Sequence, residues 1–223
     1  RGFSHVGVIK VLQELGVKID IVAGTSMGAM VGGGYASGYS VEQMQGIILG
    51  VNWQEMFAFR PDRSDLNWRR RQDDFKGLGS GEIGFSDQGV LLPDSVVPAQ
   101  HLEIFLRSIT RHVSSVTDLS KLPIAFAAVA TDLDNGEPVV MQKGVTLADA
   151  MRSSMSVPGA FSPFPFKGHV LVDGGLAQNL PVELAHAMGA DIIIAVNAGT
   201  PLGKSKDIHS VAGVMGQMVG ILT

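Results

Sequence analysis

The segment Ile19-Asp-Ile-Val-Ala-Gly-Thr-Ser-Met-Gly28 decides the fold of this chain, because its short apolar run ends in Gly-x-Ser-x-Gly. The apolar run predicts a buried strand over residues 19–23, and the small residues that follow predict a helix over 27–37. Ser26 occupies the turn between the two elements, flanked by glycines that have no Cβ. The pattern is typical of a strand–turn–helix unit that exposes a serine hydroxyl at the end of a strand.

This turn has two interpretations. Ser26 could be a nucleophile, with the N–H of Met27 directed at the negatively charged oxygen that forms on a substrate. Gly24 and Gly28 would then let other chain segments crowd the serine. Alternatively, this is a glycine-rich turn that packs closely or binds a phosphate. A phosphate loop of the Walker type is excluded, because no Gly-Lys-Ser/Thr follows.

The composition places the chain among globular proteins. It has 223 residues, of which 45% are hydrophobic and 17% are charged, and we expect a single domain over residues 1–223. The net charge of −4 argues against general binding of nucleic acid, which needs a basic face. The sequence contains no cysteine, which removes disulfide, zinc-thiolate and cysteine-nucleophile chemistry. No apolar run approaches the roughly 18 residues of a membrane span.

Strand-like apolar runs alternate with helix-like segments along the chain. The predicted strands span residues 19–23, 123–131, 169–172 and 191–196, and the predicted helices span 8–15, 27–37, 98–112, 146–155 and 181–188. Asn135-Gly136 predicts a hairpin after the second of these strands. Hydrophobic strands that alternate with helices predict an α/β fold with a mostly parallel central sheet and helices on both faces. A first strand before Arg1 would complete a parallel βαβ unit.

Asp173 is the second residue of interest, because it follows a predicted strand and precedes Gly174 and Gly175. Binding sites of α/β folds lie at such strand ends, and a serine hydroxyl needs a base to become a useful nucleophile. In the usual triad this base is a histidine, and His186 and His209 follow Asp173 in the order that α/β hydrolases use. His186 falls within a predicted helix and His209 in a polar segment, so both are weaker candidates than Asp173.

Other candidate ligand sites carry weak patterns. Asp132 and Asp134 resemble the start of a calcium loop, but Lys143 stands where that loop needs a glutamate. Residues 79–84 match Gly-x-Gly-x-x-Gly without a strand before or a helix after, so dinucleotide binding is not predicted. The arginine-rich stretch 60–71 is either a solvated loop with local ion pairs or a contact for anionic head groups.

Five motifs together carry a resemblance to a known family. They are Arg1-Gly-Phe-Ser-His-Val-Gly-Val8, Gly24-Thr-Ser-Met-Gly28, Ala130-Thr-Asp-Leu133, Ser154-Met-Ser-Val-Pro-Gly159, and Asp173-Gly-Gly175 with Asn179 and Pro181. On these motifs the chain resembles the patatin-like phospholipases over nearly its whole length. The fold that this resemblance implies is a three-layer α/β/α arrangement.

The resemblance also implies a chemistry. It indicates a lipid acyl hydrolase of the phospholipase A or lysophospholipase type, a serine hydrolase that uses a Ser–Asp dyad and no metal or cofactor. Ser26 would be the nucleophile and Asp173 its direct base, with an oxyanion hole from Met27 and from a glycine-rich loop that ends at Arg1 and Gly2. An ordinary aspartate has a pKa of about 3.9, which is low for a base. We therefore expect that Asp173 is desolvated, which raises its pKa, or that it acts through a short hydrogen bond.

The partners implied are a phospholipid or lysophospholipid substrate and a membrane surface. Family members include secreted, outer-membrane and cytoplasmic bacterial forms, so the compartment stays open. Residues 204–223 have a helix-like apolar pattern, and we expect a C-terminal helical tail that packs on its own domain, with membrane contact or a homodimer seam as the alternative. Two other functions are kept open: a catalytically silent lipid-binding module of the same fold, and a Ser–His–Asp esterase.

Overall fold

The structure, a computed structural model, describes residues 2–53, 84–86, 89–91, 99–199 and 217. The helices are α1 (Ser4–Glu14), α2 (Met27–Ala36), α3 (Val41–Gly50), α4 (Ala99–Ile109), α5 (Leu147–Ser154), α6 (Gly175–Gln178) and α7 (Val182–Ala187). The strands are β1 (Ile21–Thr25), β2 (Gly84–Ser86), β3 (Gly89–Leu91), β4 (Ala125–Asp132), β5 (Pro138–Met141), β6 (Phe164–Phe166) and β7 (His169–Asp173). Strands β2 and β3 form a separate antiparallel hairpin.

Strand β4 is the centre of the main sheet and pairs with three other strands. Residues 125–129 pair in parallel with β1, residues 128–131 pair antiparallel with β5, and residues 130–132 pair antiparallel with β7. A strand has only two edges, and the β5 pairing overlaps both of the others. Strands β1 and β7 therefore share one edge of β4, end to end, with Thr25 opposite Val129 and Asp173 opposite Ala130. The C-terminal ends of β1 and β7 consequently meet.

The α/β class is confirmed, and β1, β4 and β6 run in the same direction. Among the described strands, however, β1 and β4 form the one parallel pair, while the β4–β5, β4–β7 and β6–β7 pairs are antiparallel. The reason is local, because tight turns join β4 to β5 and β6 to β7, and such turns connect only antiparallel neighbours. Gly136 has a φ of 75° in the first turn, and Lys167 and Gly168 have φ values of 49° and 88° in the second. The hairpin predicted from Asn135-Gly136 is confirmed.

The predicted strand at 191–196 is wrong, since these residues form no strand. An apolar run becomes a strand only when a neighbour satisfies its backbone N–H and C=O groups. No described strand pairs with this run, so its backbone groups have no ladder partner within the described part of the chain. Ile192 and Ile194 accordingly remain 87% and 54% exposed.

Helix α2 packs directly against the sheet and against α5. A Cβ added to Gly32 would lie 2.7 Å from Val22 Cγ1, and one added to Gly33 would lie 2.5 Å from Met151 Cε. The fully buried Phe126 of β4 lies beside both glycines. The glycine run in α2 thus serves close packing, which fixes the position of the turn at Ser26.

Several predicted features fall outside the described residues. Arg1, His209, the arginine-rich stretch 60–71 and, apart from Gln217, the tail 204–223 are among them. Of the helices that the structure does describe, none has the length and apolar character to cross a membrane.

Candidate active site

Ser26 sits at a sharp reversal of the chain between β1 and α2. Its backbone adopts φ 54° and ψ −121°, a conformation that residues with a side chain rarely adopt. Strand β1 ends at Thr25 and α2 begins at Met27, so the reversal is made at this one residue. The Ser26 carbonyl accepts the N–H groups of Ala29 and Met30 at 2.9 and 3.1 Å. The Ser26 carbonyl is thus hydrogen-bonded to the first turn of α2, while the Ser26 side chain precedes the helix.

The two glycines of the Gly-x-Ser-x-Gly motif have different surroundings. A Cβ on Gly24 would lie 2.6 Å from the Gly28 carbonyl oxygen and 2.7 Å from the Ala29 nitrogen, so only glycine lets α2 fold back onto β1. Among the described residues, a Cβ on Gly28 would have one neighbour within 4 Å, His5 Nε2 at 3.8 Å. Within the described residues the expected crowding therefore holds for Gly24 but is wrong for Gly28, where a Cβ would make only an ordinary van der Waals contact with His5.

Asp173 is the last residue of β7 and is 4% exposed. Its Oδ1 accepts the Gly175 N–H at 2.8 Å, and its backbone N–H donates to the Ser156 carbonyl at 2.9 Å. Its carbonyl accepts the Thr131 hydroxyl at 2.8 Å. Gly174 lies over the Val129 carbonyl so closely that any Cβ would overlap it. The carboxylate is thus held from several sides.

The two predicted residues meet directly. Ser26 Oγ donates a hydrogen bond to Asp173 Oδ2 at 2.6 Å, across 147 residues of sequence. Burial raises the pKa of Asp173, while the hydrogen bonds from the Ser26 hydroxyl and the Gly175 N–H oppose that rise. The net direction is upward, as expected from the sequence, and it makes the carboxylate a stronger proton acceptor than an exposed aspartate.

Histidines make other contacts. Within the described part of the chain, no histidine ring is hydrogen-bonded to Ser26 or Asp173. His186 lies in α7, as predicted. The ring contacts that do occur are His5 Nδ1 with the Gly2 carbonyl at 2.5 Å, His112 Nε2 with the Ser37 carbonyl at 3.1 Å, and His169 Nδ1 with Asp132 Oδ2 at 2.8 Å. Within the described residues Ser26 and Asp173 therefore contact each other without a histidine between them, and His209 lies outside those residues.

Backbone N–H groups at the start of α2 lie beside Ser26. Among the described residues, the N–H groups of Met27 and Gly28 have no protein acceptor, as is usual for the first turn of a helix. Gly2 packs against the Met27 side chain so closely that a Cβ on Gly2 would overlap Met27 Cβ. The segment that follows Arg1 is therefore adjacent to the turn, and the N-terminal end of α2 adds a positive potential there.

The described residues form a cleft of about 1350 Å³ that includes Ser26 and Met27. It runs along β1 and is bordered on the far side by residues 189–199. Apolar side chains such as Ile21, Ile192 and Ile194 line it. The charged residues Lys18 and Asp20 line it as well.

Metal ligands are absent from the region that the structure describes, since no group of three histidine, aspartate or glutamate side chains could hold an ion there. The aspartates that resemble a calcium loop have another use. Asp132 Oδ1 accepts the Asp134 N–H at 3.1 Å, which forms a local turn, and Asp132 Oδ2 contacts His169.

Ser154 begins one of the motifs that carry the family resemblance, but the sequence predicts no role for it. In the structure the Ser26 N–H donates to Ser154 Oγ at 2.8 Å, and the Ser154 hydroxyl donates to the Val129 carbonyl at 2.5 Å. One signal was available, because Ser154 lies four residues after Ala150 and three after Met151 on the buried face of a predicted helix. A polar residue on such a face needs a partner.

Comparison with known proteins gives a consistent answer. The family model described as "Patatin-like phospholipase" matches residues 1–186. An uncharacterized NTE family protein of Mycobacterium tuberculosis is 32% identical over 208 residues, which are 93% of this chain and 49% of that protein. The human "Patatin-like phospholipase domain-containing protein 6" is 31% identical over 207 residues, covering 90% of this chain and 13% of that protein.

A third relative, "Lysophospholipase NTE1" of Scheffersomyces stipitis, is 29% identical over 200 residues, which cover 90% of this chain and 11% of that protein. The chain thus spans about half the length of the mycobacterial relative and a smaller share of the other two. The resemblance noted in the sequence is confirmed. The chain belongs to the patatin-like phospholipase family, a family of lipid hydrolases.

Proposed function

We propose that this chain is a lipid acyl hydrolase of the phospholipase A or lysophospholipase type that cleaves fatty-acyl esters through Ser26 and Asp173. The observation that carries the proposal is the 2.6 Å hydrogen bond from Ser26 Oγ to Asp173 Oδ2, made between a serine on a strained turn and a buried carboxylate. The bond points the serine proton at a base whose pKa burial has raised.

In the first half-reaction, Ser26 Oγ attacks the carbonyl carbon of the ester, and Asp173 Oδ2 accepts the hydroxyl proton. The ester C–O bond then breaks, and the departing alcohol or lysolipid takes that proton. The Gly175 N–H binds Oδ1 and so leaves Oδ2 facing the serine. The product that remains on the enzyme is an acyl ester of Ser26.

In the second half-reaction, Asp173 accepts a proton from water, which attacks the acyl carbon and releases the fatty acid. The proton returns to Ser26 Oγ. In both halves the negative charge on the carbonyl oxygen is stabilised by the Met27 N–H and by backbone N–H groups of the segment around Arg1 and Gly2. Donors of this kind act strongly because they are oriented before the reaction starts.

Phospholipid or lysophospholipid is the substrate class that the family supports. Such substrates assemble into surfaces, so contact with a membrane surface is part of the proposal. The bound ester carbonyl would lie between Ser26 Oγ and the first N–H groups of α2.

The test measures release of labelled fatty acid from phosphatidylcholine vesicles and from lysophosphatidylcholine by the full-length protein. Ser26→Ala and Asp173→Asn should each lower turnover by about 10³-fold or more. Asp173→Asn preserves the shape of the side chain, and its amide can still accept the Gly175 N–H. Asp134→Asn is the matched control, because that carboxyl lies in a turn away from the serine, and it should retain wild-type turnover.

Each other outcome has a defined meaning. Turnover that survives Asp173→Asn would assign the base to a histidine and contradict the dyad. Vesicle binding by a folded protein that neither turns over lipid nor reacts with a fluorophosphonate at Ser26 would indicate a silent lipid-binding module instead.

A further inference from the structure

The place where β1 and β7 meet leaves a gap in the hydrogen-bond ladder of β4. Both strands lie on the same edge of β4 and end at neighbouring positions, opposite Val129 and Ala130. At this point the chain leaves β1 through Ser26 and leaves β7 through Gly174. Backbone groups in such a gap have no partner in the ladder, so they need partners from elsewhere in the protein.

Ser154, the last residue of α5, fills this gap. Its hydroxyl accepts the Ser26 N–H at 2.8 Å and donates to the Val129 carbonyl at 2.5 Å. Its own carbonyl accepts the Gly174 N–H at 3.4 Å. Ser154 is fully buried, so water cannot replace these contacts without opening the core. This one residue therefore contacts the chain where it leaves each of the two strands.

We propose that Ser154 is a positioning residue that holds the backbone of Ser26 in its strained conformation and thereby keeps Ser26 Oγ directed at Asp173. A residue with φ 54° and ψ −121° persists in that state only when its surroundings fix it. The Ser26 N–H lies between the end of β1 and the strained φ angle of Ser26. Its acceptor is Ser154 Oγ. The inference rests on the proposed function, since it assigns a consequence for turnover.

The neighbouring Ser153 provides a matched comparison. It is also fully buried and lies in the same helix, but its hydroxyl donates to the Ala150 carbonyl at 3.0 Å within α5. In the described part of the chain its hydroxyl has no contact with either site residue. Substituting each serine by alanine removes one buried hydroxyl from the same helix, and only one of the two substitutions frees the Ser26 N–H.

The first test measures kcat and KM for lipid hydrolysis by the full-length protein. Ser154→Ala should lower kcat by about 10²-fold, because small misplacements of a reacting group have effects of that size, and should leave KM nearly unchanged. Ser153→Ala should retain the wild-type kcat. If Ser154→Ala does not fold, Ser154→Cys keeps the volume of the side chain with a much weaker hydrogen-bonding group, and its kcat should also fall. If the kcat of Ser154→Ala equals that of Ser153→Ala, the proposal is overturned.

The second test does not depend on activity and measures hydrogen exchange of the Ser26 amide. Exchange should be slow in the wild type and in Ser153→Ala. It should be at least about tenfold faster in Ser154→Ala, since the Ser26 N–H has lost its buried acceptor in that variant. Equal exchange in the two variants would overturn the proposal even if kcat changed. A wild-type protein without turnover would contradict the proposed function, whereas the exchange rates would still decide whether Ser154 holds this turn.

Discussion

The exits from β1 and from β7 both lead from a strand through a tight turn into a helix, yet they place the functional residue differently. At the first exit Ser26 itself forms the turn and bears the strain, with φ 54°. At the second exit Asp173 still pairs with Ala130 in the sheet, and the turn falls on Gly174, which has the ordinary helical angles φ −65° and ψ −18°. The difference suits the two proposed roles, because a nucleophile projects from the fold to reach its substrate, whereas burial raises the pKa of a carboxylate that acts as a base.

The two exits also use glycine differently. Gly24, before the serine, lets α2 lie on β1, whereas Gly174, after the aspartate, lets the chain cross the Val129 carbonyl. Neither has a positive φ, so the requirement at both positions is space rather than backbone freedom. Backbone strain and steric crowding are therefore separated in this site, which lets each be tested alone.

The largest effect on stability should come from Gly174→Ala. The new Cβ would overlap the Val129 carbonyl, a backbone atom at the centre of the sheet that cannot move aside, so we expect a loss of about 3 kcal/mol in the free energy of unfolding. Gly28→Ala is the control, because its Cβ has space and alanine favours a helix, so stability should stay the same or rise by up to about 1 kcal/mol. Urea denaturation measures both, and equal losses would contradict the proposed contrast between these glycines.

An intermediate effect, of opposite sign, should come from Asp173→Asn. Because burial raises the pKa of Asp173 in the folded state, the unfolded chain ionises first as pH rises, and the folded state loses stability between the unfolded and folded pKa values. The asparagine variant lacks this loss, so it should be more stable than the wild type at pH 7.

The same variant should lose its advantage as pH falls towards the ordinary pKa of an aspartate. Denaturant titrations at several pH values between 4 and 7 measure this trend. An advantage that is independent of pH, or a variant less stable than the wild type at pH 7, would show that the hydrogen bonds to the carboxylate outweigh its desolvation. As pH is lowered, wild-type turnover should correspondingly begin to fall at a pH above the ordinary pKa of an aspartate, because the base becomes protonated there.

The smallest effect separates strain from chemistry at Ser26. Both Ser26→Ala and Ser26→Gly should be inactive, but Ser26→Gly should be the more stable variant by about 1 kcal/mol, since glycine adopts a positive φ without steric conflict. The same denaturant titration measures the difference. Equal stabilities would mean that the turn at residue 26 stores little strain.

The local parts of this architecture were predictable from the sequence. The apolar run before Gly24, the buried run that became β4 and the Asn135-Gly136 hairpin each depend on neighbouring residues alone. Thr146 caps α5 by accepting the Asp149 N–H, and this helix begins where the sequence predicts it. Ser26 and Asp173 are predicted as site residues because each follows a predicted strand and because the family resemblance implies them.

The parts that depend on distant pairing were not predictable. The sequence of β7 does not indicate that it enters the sheet antiparallel, because direction and register are set by which edge of β4 is free. Nor does the apolar run 191–196 indicate whether a neighbour will pair with it. The place of Ser154 on the buried face of a helix indicates that its hydroxyl needs a partner, but no local pattern identifies that partner as Ser26, 128 residues away.

The end-to-end placement of β1 and β7 on one edge of β4 also orders events during protein synthesis. Ser26 leaves the ribosome before its proposed base, which lies 147 residues later, a delay of roughly 7 to 30 s at ordinary rates of translation. Until β7 has paired with β4 beyond the end of β1, the serine does not have the carboxylate beside it. A nascent or truncated chain that lacks β7 would therefore carry a serine without its proposed base, and hydrolytic activity would mark a domain in which β7 has docked.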